Sequence, residues 1–128
     1  MRLLGAVLLL EGAALLLLEA LPPEAVPAPL ASFQPDPLHN LIHVAWGLAL
    51  LAIPLASRRA SAEALVALAF GVFYVCLAVL GILVHNPFGL RLGPGENAFH
   101  SLVGPLTLAV GAWLWTHPDA GAPRPGHA

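Results

Sequence analysis

Asn40-Leu41-Ile42-His43-Val44-Ala45-Trp46-Gly47 and Asn97-Ala98-Phe99-His100-Ser101-Leu102-Val103-Gly104 are written to one pattern, N-x-x-H-x-x-x-G. They begin 57 residues apart in a chain of 128, and each opens a long apolar run. A polar start followed by a run of helical length, met twice, predicts two equivalent helices; the simplest architecture that contains them is one helical hairpin used twice. Positions i, i+3 and i+7 share a helical face, so Asn40, His43 and Gly47 form one stripe and Asn97, His100 and Gly104 another. Small residues along a stripe mark the side on which helices touch, which turns both histidines into the bundle.

The composition around the motifs sets their solvent. Apolar residues make up 59% of the chain and charged residues only 9%, against roughly 25% charged in an average soluble domain. A soluble fold could not hide so much apolar surface. Five arginines and no lysine stand against seven acids, so there is no basic field for nucleic acid and no polybasic segment for anionic lipid. The single cysteine, Cys76, lies in an apolar run and reads as a small packing group.

Four apolar stretches fit helices over residues 3–21, 40–57, 62–85 and 97–115, followed by a tail, 117–128, rich enough in proline and glycine to be disordered. The first holds ten leucines and two acids, Glu11 and Glu19. Arg2 before it and Val26-Pro27-Ala28 after it loosely imitate a cleaved signal peptide, but Glu11 inside the run and Pro29 just past the candidate site favour a retained span. Ten leucines at about −0.5 kcal/mol each outweigh one central acid at roughly +3 kcal/mol on the insertion scale. From Leu21 to His39 the chain carries six prolines with Glu24 and Asp36, an extended, water-facing connector. In the third stretch Ala67, Gly71, Ala78 and Gly81 share a face that a neighbouring backbone can approach, with Tyr74 in its middle.

The expected fold is therefore all-α: a four-transmembrane-helix bundle over residues 1–116, built from two parallel-repeat helical hairpins. With four spans, Arg2, Arg58, Arg59 and Arg124 fall on one side and Arg91 on the other, so the positive-inside rule leaves both termini cytoplasmic and the chain multi-pass in a plasma (inner) membrane. The expected partners are the lipid bilayer and, within it, a second copy or another membrane protein.

The leading reading of the motifs is structural. Asparagine is a favoured N-cap, and a histidine three residues on, about 4.5 Å below the helix start, can tie one helix to another. No cofactor is needed for that. Two sharper readings use the same residues. His43 and His100, at matching depth, could ligate a haem iron or a transition metal, with His39 as a third metal ligand on the outer rim; His85 could reach the same layer. Alternatively Glu11, the one charge near the bilayer centre, serves proton or solute transport, protonated or paired with a polar group such as Tyr74. No nucleophile-base-orienter set and no phosphate-binding glycine loop points to an enzyme.

From Asn40 to about Trp115 the chain resembles a known family. The Asn-x-x-His helix starts, the glycine four residues after each histidine, the Phe70-Gly71-Val72-Phe73-Tyr74 segment and Leu80-Gly81 look like the family called domain of unknown function 4383, small four-helix bacterial membrane proteins. The resemblance implies a multi-pass membrane protein with no assigned activity, and it carries no catalytic residue over to this sequence.

Overall fold

A computed structural model of the chain describes residues 1–22, 25, 36–57, 59–84 and 86–118. Most of the proline-rich connector, Arg58, His85 and the tail beyond residue 118 lie outside the described residues. Four α-helices follow in order, α1 Arg2–Glu19, α2 Pro37–Ser57, α3 Ala60–Val84 and α4 Pro94–Thr116, with a short 3-10 turn at Pro87–Gly89 before α4. Three segments, Pro37–Ser57, Ser61–Val84 and Pro94–Thr116, are long and apolar enough to cross a membrane. α1 differs from them in carrying Arg2, Glu11 and Glu19 within 18 residues.

Both motif helices start three residues earlier than their asparagines suggest, and the cause is local. Pro37 and Pro94 occupy the first helical position, where a missing N–H costs nothing. Ahead of Pro37, Asp36 caps α2: its Oδ1 accepts the His39 N–H at 3.1 Å and its carbonyl accepts the Asn40 N–H at 3.0 Å. Ahead of Pro94, the Gly93 carbonyl accepts the Asn97 N–H at 3.0 Å. Asn40 and Asn97 are thus fourth-position residues and not caps. His43 and His100 both stand at the seventh position, about 9 Å along the axis from the helix start, two turns deep where one turn was expected.

Tight and loose seams alternate through the bundle. α1 lies against α2 and α3 against α4, and the two pairs meet along α2 and α3. The tight seams are made by absent side chains. A Cβ on Gly47 would lie 2.6 Å from Leu9 N on α1, and one on Gly104 would lie 2.8 Å from Val75 N on α3. Each motif glycine therefore seats its helix on the preceding one. On α3 the buried residues Ala64, Ala67, Gly71, Tyr74, Ala78 and Gly81 follow alternating spacings of three and four, one continuous face. Where the pairs meet, larger groups fill the gap: Leu8, Leu50, Val66, Phe70 and Tyr74 are buried there, with Trp46, Phe99 and Val103 packed against them. In lipid such a core is held by van der Waals fit, since lipid tails are as apolar as the side chains. Large apolar residues such as Leu3, Leu10, Leu83 and Leu102 remain on the outside.

One contact fastens the pairs at the end where the motifs begin. Asp36 Oδ2 accepts the Arg91 N–H at 2.7 Å, so the carboxylate that caps α2 also holds the segment leading into α4. Leu90 and Leu92, on either side of Arg91, are buried with Leu77 and pack against Ile42 and Phe73. This brings the first turns of α2 and α4 to one level.

Candidate functional site

Because α2 and α4 begin with proline and are levelled by Asp36, their seventh residues come to the same layer of the loose seam. There His39 and His43 of α2 meet His100 of α4. The three side chains are buried, at 7%, 5% and 0% exposure, and each offers one ligand atom within 4.8 Å of the others. His39 is the hinge of the group. Its ring lies 4.6 Å from that of His43 and 5.5 Å from that of His100, both edge-on. Sequence reasoning set His39 on the rim as an addition to His43 and His100; in the structure it is the residue that touches both.

Aromatic rings close the cluster from the sides and below. Tyr74, fully buried, lies edge-on to His100 with centroids 5.0 Å apart and stacks on Phe70 at 4.1 Å. Phe99 lies 5.9 Å from His100 and 6.3 Å from His43. Trp46 packs edge-on to Phe70 at 5.3 Å.

The polar atoms of the cluster are poorly matched by one another. His39 Nε2, both ring nitrogens of His43, both of His100 and the Tyr74 hydroxyl are buried without a hydrogen-bond partner among the described residues. His43 Nδ1 has one close neighbour: it stands 3.2 Å from Glu11 Oε2, at ion-pair distance but without hydrogen-bond alignment. The Glu11 side chain is 48% exposed, so it links the buried ring to the outside of the bundle. Glu11, expected to be protonated or paired with a bundle polar group such as Tyr74, has His43 as its polar neighbour.

The remaining motif residues have separate tasks. Asn40 Nδ2 donates to Glu19 Oε1 at 2.7 Å. Both acids of α1 thus face motif residues of α2. Asn97 Nδ2 donates to the Leu92 carbonyl at 3.2 Å, inside its own pair, while its Oδ1 is buried against Gly81. The two asparagines, equivalent in sequence, are unlike in their bonding.

Asp36 was read only as one acid of the connector, yet it positions His39 and, through Arg91, the start of α4. The signal was present. Aspartate directly before proline at the head of an apolar run is an N-cap followed by N1, and it lengthens the shared pattern to P-x-x-N-x-x-H-x-x-x-G at both sites. Tyr74 and Phe99 as walls of the cluster had no such signal, because neither motif spacing nor periodicity says which rings converge.

Among known proteins, neither the curated sequences nor the solved structures provide a match to this chain. One family does match, described as domain of unknown function (DUF4383), over residues 2–113. That span takes in all three histidines and both acids of α1, and the chain belongs to the DUF4383 family.

Proposed function

We propose that this protein is a four-span integral membrane protein that holds one divalent transition-metal ion between His39, His43 and His100. One observation carries the proposal: three buried imidazoles from two helices bring their ligand atoms within 4.8 Å, and each ring has a buried nitrogen with no hydrogen-bond partner among the described residues. A buried polar atom left unpaired costs about 1–3 kcal/mol, and native interiors keep few of them. Three such rings converging on one place can each give one lone pair to a single cation. Neutral imidazoles without thiolate suit zinc, copper(II) or nickel. At metal–nitrogen distances of about 2.0–2.1 Å tetrahedral ligands stand roughly 3.3 Å apart, so the rings close by about 1.5 Å, within reach of side-chain rotation. Three protein ligands leave a fourth position for water.

A haem fits the same residues less well. The His39 ring, with Tyr74 and Phe99, fills the space around His43 and His100 that a macrocycle needs. A proton or solute route has the Glu11–His43 contact in its favour, but beneath the histidines lie Leu8, Leu50 and Phe70.

The fourth span rests on α1. An acid in a spanning helix costs roughly 3 kcal/mol when it faces lipid, and here Glu11 and Glu19 both have polar neighbours on α2. The two pairs then act as parallel-repeat hairpins about a pseudo-twofold axis along the membrane normal, with both termini on the cytoplasmic face of the plasma (inner) membrane. The test is elemental analysis of the detergent-purified protein after exposure to zinc, copper or nickel. One ion per chain is expected, with His100→Ala weakening it by more than the 10–100-fold of a typical outer-shell loss. Failure of the wild-type chain to retain any of the three refutes the reading.

A further inference from the structure

A metal-binding imidazole uses one nitrogen as a lone-pair ligand and carries its proton on the other, and the second nitrogen ordinarily donates to a carboxylate or carbonyl that fixes the tautomer and turns the ring. Among the described residues, Glu11 is the carboxylate within ion-pair distance of a ring nitrogen of the cluster, at 3.2 Å from His43 Nδ1. We infer that Glu11 is a positioning residue of the histidine site: it holds the proton of His43 on Nδ1 and so presents Nε2 to His39 and His100.

Three features of the fold converge on this assignment. The first is reach. Gly12, next to Glu11, lies so close to α2 that a Cβ there would be 2.6 Å from the Asn40 carbonyl oxygen and 3.0 Å from His43 Cβ. The missing side chain at residue 12 lets α1 approach the motif, which puts the adjacent carboxylate at the imidazole. The second is register. Asn40 Nδ2 donates to Glu19 at 2.7 Å, so a second tie from the same motif resists sliding or rotation of α1. The third is charge. Three neutral imidazoles offer nothing to offset a divalent ion in a low-dielectric interior, and Glu11 supplies a negative charge one imidazole away. The contact with His43 gives that carboxylate a polar neighbour inside the bundle. His100 has no carboxylate within ion-pair distance among the described residues, so the two motif histidines are inequivalent: Glu11 orients His43 in advance, while His100 is held by the rings of His39, Tyr74 and Phe99.

The inference rests on the metal reading for its consequence but not for its first measurement. Histidine-selective 15N NMR of the full chain in detergent micelles, without metal, is expected to find His43 protonated on Nδ1, with Glu11→Ala moving the proton to Nε2. Zinc added alone, in competition with a chelator, is expected to bind Glu11→Ala about 10–100-fold more weakly than wild type. Glu11→Asp recovers part of the loss. Glu11→Gln, isosteric and able to accept the same hydrogen bond, keeps the Nδ1 tautomer while losing the charge contribution, and it serves where the alanine variant does not fold. A wild-type His43 protonated on Nε2, or wild-type zinc affinity in Glu11→Ala, overturns the inference even if zinc binds. An Nδ1 tautomer that depends on Glu11 in a protein that retains none of zinc, copper or nickel supports the positioning role and overturns the metal reading alone.

Discussion

Gly47→Ala adds one methyl group, and the structure states what it meets. The new Cβ would lie 2.6 Å from Leu9 N, 2.8 Å from Gly5 O and 2.8 Å from Leu9 Cα, all of them backbone atoms of α1. Backbone cannot rotate aside, so α1 must recede. Reaching the onset of ordinary contact at 3.4 Å takes a movement of about 0.8 Å, typical of overpacked sites that cost about 1–3 kcal/mol. The same movement would carry Glu11 from 3.2 Å toward 4.0 Å from His43, the limit of an ion pair, so the damage reaches the histidine site. Gly95→Ala is the control. It adds the same methyl in the first turn of α4, where nothing lies within 4 Å, and replacing a helical glycine there should be neutral or stabilising by up to about 1 kcal/mol. The assay is reversible unfolding in mixed micelles followed by helical circular dichroism. The reasoning is refuted if the two variants shift stability equally, or if Gly47→Ala unfolds with the wild type.

Asp36→Ala removes a cap and the carboxylate acceptor of the Arg91 backbone N–H together, an expected loss of about 1–3 kcal/mol, of which Asp36→Asn, with one acceptor oxygen for two N–H donors, should recover only part; the same unfolding assay measures both. The four-span topology predicts that cysteines placed at residues 59 and 91, in a Cys76→Ala background, are labelled from opposite sides of the membrane. Labelling from one side sinks it.

How much of this was legible beforehand depends on the kind of interaction. The helices could be read because each lies in an apolar run, and an apolar run in lipid must satisfy its own backbone. The helix starts fall three residues before the asparagines at both sites for one reason: the motif makes asparagine the cap, whereas Asp36-Pro37 and Gly93-Pro94 end the connectors first. An asparagine cap places the histidines one turn too shallow and makes capping a sufficient explanation for them. At seventh position, buried and each with a ring nitrogen unpartnered among the described residues, they need another. The glycine of each motif was read as admitting a close neighbour, and Gly47 and Gly104 do approach α1 and α3 backbone. Which polar group stands beside Glu11 is not legible from spacing, because Tyr74 and His43 are equally available in the bundle, and the structure puts His43 there.

The sequence by itself determined the element order, the lipid-compatible helices, the family and the pairing of each motif glycine with a helix seam, since all of these follow from periodicity and composition along one segment. Only the tertiary structure decided that His39 joins His43 and His100, that Glu11 meets His43, and that Asp36 levels α2 with α4. The reason is geometric. Spacing along a helix says which residues share a face, but which faces meet, and at what height, is set by how closely the glycine seams seat each pair and how far the aromatic rings hold the pairs apart.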